Sequence, residues 1–214
     1  MADFETFRSL RGEVTTRLEG IAGTKMVAVL SPMSGEGKST VSVNLAKVLA
    51  MDGRRVLIFD ADMRRPSIVP VFAPESPGPD LEKVLKGEAT LAQAIRRSRI
   101  PGVDVVGMAK GTSHASELAG SARFEEAMRA ARVGYDVVIV DSAPVNQATE
   151  SGLIARRCDA TVLVLRERRT GRGAGGDGGS GDSARTGIMP TARPRRGVHL
   201  SLAVPMTRSG FPDG

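Results

Sequence analysis

The chain has 214 residues, of which 41% are hydrophobic and 25% charged, enough for one α/β domain with a sizeable core and an extension. Its net charge of +6 would fit a nucleic-acid or membrane-surface binder, but the nine Arg and four acidic residues of 166–214 contribute +5 of it. Tryptophan is absent and aromatic residues make up only 3%, so neither a base-stacking surface nor a nucleic-acid partner is expected.

The single cysteine and the hydropathy pattern bear on the compartment. Cys158 cannot form an internal disulfide, which favours a reducing cytoplasm, and it reads as a small core residue. No apolar run is long enough to span a bilayer, and residues 1–10 lack the apolar segment of a signal peptide. We therefore expect a cytoplasmic protein that would need a partner to associate with a membrane.

The N-terminal segment, residues 3–18, predicts an amphipathic helix with Asp3 as its N-cap. Glu5, Arg8 and Arg11 lie close together on one face of it, at spacings of three residues. They could pair within the helix or with a neighbouring subunit, and the residues alone favour a solvated charged face. The apolar residues at helical spacing are Phe4, Phe7, Leu10, Val14 and Leu18.

A glycine-rich turn follows the apolar run 26–30 and leads into a predicted helix over 40–51. Its sequence, Ser-Pro-Met-Ser-Gly-Glu-Gly-Lys-Ser-Thr over 31–40, has the layout of a phosphate-binding loop, in which backbone N–H groups and a helix N-terminus face the phosphates. The general pattern begins with Gly where this chain has Pro32, and an ordinary flexible turn before a helix is the alternative. The residues expected to bind the nucleotide are Ser34, Gly35, Glu36, Gly37, Lys38, Ser39 and Thr40, with Lys38 on the phosphates and the Ser39 hydroxyl on Mg²⁺.

Two further apolar runs, at 56–59 and 137–140, end in carboxylates. Asp60 and Asp62 follow the first run and Asp141 follows the second. Each Asp alone could be a helix cap or a turn residue. Because open parallel sheets bind ligands at the carboxyl ends of their strands, three such residues beside a phosphate loop predict Mg²⁺-dependent phosphoryl transfer.

The remaining segments complete an alternation of strands and helices. Such an alternation predicts an α/β fold, a mostly parallel sheet of the P-loop NTPase type with helices on both faces. We expect a loop at 70–79, helices at 80–86, 90–97, 121–132 and within 147–156, and strands at 103–106 and 160–165.

Beyond residue 168 the pattern stops. Residues 171–181 contain seven glycines in eleven positions, and apolar periodicity is weak until Val198–Met206. A segment of this composition buries too little apolar surface to offset its ordering entropy. We therefore predict a domain over 1–168 and a disordered Gly/Arg/Pro-rich tail over 169–214.

Four motifs together resemble the bacterial tyrosine kinases, or BY-kinases, of capsule and exopolysaccharide synthesis. The loop 31–40 matches their Ser-x-x-x-Gly-x-Gly-Lys-Ser-Thr, in which Pro32 is ordinary, residues 60–64 match Asp-x-Asp-x-Arg, and 141–144 match Asp-Ser/Thr-x-Pro. The Glu5, Arg8 and Arg11 helix is similar to the family's oligomerisation motif. The resemblance covers about residues 4–170.

The resemblance implies an ATP- and Mg²⁺-dependent protein-tyrosine kinase that regulates exopolysaccharide or capsule synthesis. In that reading Lys38 binds the phosphates, Ser39 and Asp62 hold Mg²⁺, Asp141 assists the metal through water, and Asp60 is the base toward a tyrosine hydroxyl. No firm role is implied for Arg64.

The family resemblance also implies partners. It points to a ring-like homo-oligomer formed through Glu5, Arg8 and Arg11, which reverses the preference for a solvated face. It further implies tyrosine-bearing protein substrates and activation by a membrane-spanning chain-length regulator, which would recruit the protein to the inner face of the cell membrane.

The tail departs from the family, whose members continue past Leu165 with a helix, a strand and a cluster of tyrosines. We expect that last helix and strand to be missing here, and we expect the only tyrosine, Tyr135, to be structural. A reading-frame shift in a GC-rich gene would produce such a tail, which the coding DNA in the other two frames would test.

Two alternative functions stay open. One is a MinD/ParA-like switch ATPase, although such proteins carry an additional Lys early in the loop, where this chain has Ser31, Pro32 and Met33. The other is a nucleotide-binding adaptor without turnover.

Overall fold

Strands and helices alternate along the chain, as the apolar pattern predicts. The computed structural model describes residues 4–73 and 77–165 and the backbone of 198–200. The described elements are α1 (Phe4–Arg17), β1 (Lys25–Leu30), α2 (Lys38–Met51), β2 (Val56–Asp60), α3 (Ile68–Phe72), α4 (Leu81–Leu85), α5 (Leu91–Ala94), β3 (Arg96–Arg97), β4 (Val103–Val106), α6 (Ala115–Gly120), α7 (Ala122–Ala130), β5 (Val137–Asp141), α8 (Glu150–Ala155), β6 (Ala160–Leu163) and β7 (Val198–Leu200).

One sheet carries the described strands in the order β3-β4-β2-β5-β1-β6-β7, and every neighbouring pair is parallel except β3 with β4. The predicted α/β fold with a mostly parallel sheet is confirmed. Strands β2, β5 and β1 lie side by side, with Asp60 opposite Asp141 and Asp141 opposite Val29. The three strand ends that carry the motifs are therefore neighbours.

Both faces of the sheet are covered by helices. Along β2, Val56 and Ile58 join a core with α1, α2 and α3, whereas Leu57 and Phe59 join a second core with α4, α5, α6, α7 and α8. This explains why the strand is a continuous apolar run, because alternate side chains enter opposite cores. In α1 the predicted apolar face is buried at Phe7, Leu10 and Val14, as is Leu18 just beyond its end. The side chain of Phe4 lies outside the described part.

Three local expectations differ from the structure. Helix α3 extends into the predicted loop 70–79. Pro70 does not prevent this helix, because it lies in the first turn, where its missing N–H costs no helical hydrogen bond. Arg96 and Arg97 form β3 rather than the end of a helix. Helix α6 was not predicted, since its six residues are too few to establish a helical period.

The predicted tail lies outside the described residues except at three positions. Val198–Leu200 form β7, which pairs in parallel with β6. The structure thus places a short strand at these three residues, while the division into a domain over 1–168 and a disordered tail over 169–214 stays a prediction. Val198–Leu200 open the stretch of the tail in which apolar residues recur.

Within the described ranges, the structure contains no helix that combines the length and the apolar character needed to cross a bilayer.

Candidate active site

The phosphate loop connects β1 to α2. Gly35 has φ +77° and Gly37 has φ +93°, a left-handed conformation that side-chain-bearing residues rarely adopt. Gly37 is the N-cap of α2, so the free N–H groups at the start of that helix lie beside the loop. Lys38, the first residue of the helix, is only 8% exposed. The sequence thus forms the predicted cradle for an anionic group.

A cleft of about 500 Å³ opens over this loop. Its floor is the phosphate loop, and its walls come from the segments that follow β2 and β5. A lysine, two arginines, four hydroxyl-bearing side chains, glycine backbone and one carboxylate line it, and these include the donors that a metal-bound triphosphate requires. The lining residues are Ser34, Gly35, Gly37, Lys38, Ser39, Thr40, Asp62, Arg64, Arg65, Ser67, Val71, Ala143, Pro144 and Gln147.

Asp141 lies beneath the cleft and is fully buried. Its two carboxylate oxygens accept hydrogen bonds from the Ser39 hydroxyl (2.6 Å) and the Ser42 hydroxyl (3.0 Å). The proton of Ser39 is held by Asp141, and its oxygen accepts the hydroxyl of Ser67 at 3.3 Å, so one lone pair of that oxygen is left for a cation in the cleft. Burial raises the pKa of Asp141 most, while Lys38 and the two hydroxyls lower it.

Asp60 is also fully buried and lies behind the cleft wall. Its carboxylate accepts three backbone N–H groups, from Asp62 (3.1 Å), Ser67 (2.9 Å) and Ile68 (2.9 Å). These bonds fix the path of the loop that carries the rest of the motif. Burial, followed by repulsion from Asp141, raises the pKa of Asp60, and the N–H groups of Ile68 and Ser67 lower it.

Asp62 is the carboxylate that lines the cleft. One of its oxygens accepts the N–H of Arg65 at 3.1 Å, which turns the side chain back toward its own loop. In the ranges that the structure covers, no three His, Cys, Asp or Glu side chains form a metal cluster. A Mg²⁺ ion held by Ser39 and Asp62 would therefore take its other ligands from phosphates and water, as Mg²⁺ commonly does.

The segment after β5 is attached to the phosphate loop. The N–H groups of Val145 and Asn146 donate to the carbonyl oxygens of Ser31 (2.9 Å) and Pro32 (3.2 Å). The side chain of Glu36 does not line the cleft, and its carboxylate accepts the N–H of Met33 at 2.8 Å. These bonds brace the loop from both sides.

Sequence reasoning missed several residues of this site. Ser42 could have been found, because it lies three residues after Ser39 on the same helix and hence on nearly the same face. Ser67 and Gln147, which line the cleft, carry no motif signal, because their places depend on how loops fold over the sheet.

The charged face of α1 lies away from the cleft. Arg8 contacts Glu5 at 3.3 Å, and both side chains are more than half exposed. Arg11 forms an ion pair of 2.6 Å with Asp52 at the end of α2. All three residues of the predicted oligomerisation motif therefore form ion pairs within the chain.

Tyr135 lies just before β5, and its hydroxyl donates to Asp104 at 2.9 Å. It is partly buried against the core. Burial and then Asp104 raise the pKa of its hydroxyl. These contacts agree with the expectation that Tyr135 has a structural role.

We expect Gly107→Ala to destabilise the domain. A Cβ at Gly107, just after β4, would lie 2.7 Å from Cβ of Asp60, which the three backbone bonds hold in place. Relieving the overlap requires backbone movement, which costs about 1–3 kcal/mol in packed interiors. Thermal unfolding should show a lower Tm.

Gly120→Ala is the matched control for Gly107→Ala. Gly120 ends α6, and a Cβ there would meet no atom within 4 Å. An equal loss of Tm in both variants would mean that the contact with Asp60 is not the cause.

Comparisons with known proteins agree with this geometry. The family AAA_31, described as an AAA domain, matches residues 24–166. The tyrosine-protein kinase ptk of Acinetobacter johnsonii is 31% identical over 166 residues, which are 78% of this chain but 22% of that protein. The chain thus spans about a fifth of the length of this curated relative.

Solved structures give the same result. The BceF tyrosine kinase domain superposes with a TM-score of 0.67 at 33% identity, covering 79% of this chain and 67% of that one. The septum site-determining protein MinD from Pyrococcus horikoshii, solved with Mg-ADP, gives 0.57 at 26% identity, covering 67% of this chain and 58% of that one. This P-loop fold implies nucleotide binding, and the chain belongs to the AAA_31 family, as a P-loop domain of the bacterial tyrosine kinases of capsule and exopolysaccharide synthesis.

Proposed function

We propose that this domain is an ATP- and Mg²⁺-dependent protein-tyrosine kinase acting in exopolysaccharide or capsule synthesis. One observation carries the proposal: Lys38, Ser39 and Asp62 line a single cleft with the buried Asp141 directly behind Ser39. Phosphoryl transfer asks the protein for positioning and charge stabilisation more than for covalent chemistry, and these residues supply both.

Each residue has a part in this proposal. The loop N–H groups and Lys38 bind the phosphates, while Ser39 and Asp62 hold Mg²⁺, which neutralises charge on the phosphates when bound. Asp141 orients Ser39 and would assist a bound metal through water.

Asp60 is proposed as the base toward the tyrosine hydroxyl. Its raised pKa favours proton uptake near neutrality, which suits a general base. Its oxygens are occupied by backbone N–H groups, so the bonds from Ser67 and Ile68 have to loosen before a hydroxyl reaches it.

A switch ATPase of the MinD kind is the second candidate, and the shared fold with a protein solved with Mg-ADP favours it. The two candidates differ in the acceptor of the phosphoryl group, water in one case and a tyrosine in the other. The early loop Lys of the switch proteins is replaced here by the stretch 31–33, which supports the kinase.

The proposed partners are a second copy of the chain, tyrosine-bearing proteins and a membrane chain-length regulator. The exposed Arg8 and Glu5 offer charges to a neighbouring subunit, and the pair of Arg11 with Asp52 would hold α1 in place for that contact. Recruitment to the inner face of the membrane would come from the regulator.

We expect phosphotyrosine on an added tyrosine-rich peptide and none on the chain itself. Tyr135 is the only tyrosine, and its hydroxyl is bonded to Asp104 in a partly buried position. Incubation of the purified protein with ATP and Mg²⁺, with and without a candidate activator segment, followed by mass spectrometry would measure both.

Tyr135→Phe should leave peptide phosphorylation unchanged, whereas Lys38→Met should remove it. ATP hydrolysis without phosphotyrosine on any acceptor would instead support the switch ATPase. Nucleotide binding with neither reaction would support the adaptor.

A further inference from the structure

The side chain of Arg64 forms an ion pair with a buried carboxylate behind the cleft wall. Its Nε donates to Oε1 of Glu150 at 2.8 Å. Glu150 is the first residue of α8 and is 1% exposed, while Arg64 is 40% exposed and lines the cleft. The ion pair therefore has one end in the core and the other in the site.

Ser116 closes this contact into a triangle. Its hydroxyl donates to Oε2 of Glu150 at 2.7 Å and accepts Nη2 of Arg64 at 2.9 Å. Both oxygens of Glu150 are thus satisfied, which a buried carboxylate requires. The triangle joins the loop after β2 to α6 and α8, three segments that are distant in sequence.

The bonding leaves one side of the guanidinium available. Nε and Nη2 face Glu150 and Ser116, and Nη1 makes no hydrogen bond to any residue that the structure describes. Arg64 lines the same cleft as Lys38 and the phosphate-loop glycines. A planar guanidinium held by two of its nitrogens can direct the third at an anion with little loss of conformational entropy.

We propose that Glu150 and Ser116 are positioning residues that hold Arg64 so that its Nη1 binds the terminal phosphate of the nucleotide. The inference rests on the proposed nucleotide site but not on tyrosine as the acceptor. It assigns Arg64 the charge compensation that phosphoryl transfer requires in addition to a metal and a lysine.

Arg65 offers a matched comparison within the same loop. It also lines the cleft, but its side chain makes no hydrogen bond or ion pair within the described part of the chain. An arginine without such support should lose more freedom on binding and contribute less.

The test is the affinity of the protein for Mg-ADP and for a non-hydrolysable Mg-ATP analogue, measured by displacement of a fluorescent nucleotide. The variants are Arg64→Ala, Glu150→Gln, their combination and Arg65→Ala. We expect Arg64→Ala to weaken the analogue about 10- to 100-fold, the value of a hydrogen bond to a charged group. Glu150→Gln should weaken it about threefold to tenfold, because the neutral amide keeps the shape but not the ion pair.

Three further results are expected. Mg-ADP should bind every variant within about twofold of the wild type, since the contact is with the terminal phosphate. The double variant should be no weaker than Arg64→Ala alone, because Glu150 acts only through Arg64. Arg65→Ala should lower the preference for the analogue less than Arg64→Ala does.

The proposal is overturned if Glu150→Gln leaves the preference for the analogue intact. It is likewise overturned if that variant weakens both nucleotides equally, or if its effect adds to that of Arg64→Ala. The experiment measures only nucleotide binding. It therefore tests the role of Arg64 even if the protein hydrolyses ATP and does not phosphorylate tyrosine. Failure of the kinase proposal is thereby separate from failure of this one.

Discussion

Lys38→Met is expected to remove phosphoryl transfer, lowering kcat/KM for the peptide reaction by about 10³-fold or more, the upper range for loss of one preorganised charge-stabilising donor. Lys38 is 8% exposed and projects from the first residue of α2 into the cleft. Methionine keeps the length and apolar stem of the side chain but removes the ammonium group, so the packing is retained while the phosphates lose their cation.

Lys47→Met is the matched control, because Lys47 lies on the same helix with an exposed side chain. We expect it to retain wild-type activity and Tm. Phosphotyrosine formation and thermal unfolding, measured on both variants, separate a lost contact from a misfolded helix. Equal activity in Lys38→Met and the wild type would remove the cleft from the mechanism altogether.

The strand ends of the site were predictable because they depend on local pattern. A glycine pair before Lys-Ser-Thr and apolar runs that end in Asp are read directly from the sequence, and parallel strands bring their carboxyl ends to one edge. The adjacency of Asp60 and Asp141 follows from the order of β2, β5 and β1, which the sequence alone does not contain.

The walls of the site were not predictable, because they are built by contacts between distant segments. Ser116 and Arg64 lie 52 residues apart, and Glu150 lies a further 34 residues along the chain from Ser116. Each belongs to a short helix or a loop whose hydropathy carries no period. What separates a carboxylate that faces the cleft, as in Asp62, from one behind it, as in Asp60, is the backbone turn at 61–68.

Asp141→Asn is expected to weaken function and strengthen the fold. The carboxylate orients the Ser39 hydroxyl, and loss of such an outer partner of a metal ligand costs about 10- to 100-fold in metal affinity or activity. Asparagine keeps the volume, and its neutral amide can still bond both Ser39 and Ser42. A Mg²⁺ titration of nucleotide binding should show the loss of affinity, and thermal unfolding without nucleotide should show a higher Tm.

Asp104→Asn is the control for this exchange. Asp104 lies on β4 in the same sheet but is only partly buried, and its carboxylate accepts the hydroxyl of Tyr135. We expect little change in Tm or Mg²⁺ affinity. If Asp104→Asn raised Tm as much as Asp141→Asn does, the gain would come from the change in net charge and not from the burial of Asp141.

The gain in stability from Asp141→Asn should depend on pH in a defined direction. Burial raises the pKa of Asp141 above its value near 4 in the unfolded chain, and this outweighs the lowering by Lys38, Ser39 and Ser42. A group whose pKa is raised on folding binds more protons in the folded state, so its contribution to stability is present at low pH and is lost as pH rises through the raised pKa.

The variant has no such group, so the difference in Tm between variant and wild type should be smaller at pH 5 than at pH 8. Repulsion from Asp141 is, after burial, the second cause of the raised pKa of Asp60, so the variant also relieves Asp60, and this adds to the gain at pH 8 in the same direction. A gain that stays constant across this range, or one that shrinks toward pH 8, would show that Asp141 remains ionised in the folded protein and is stabilised there by Lys38.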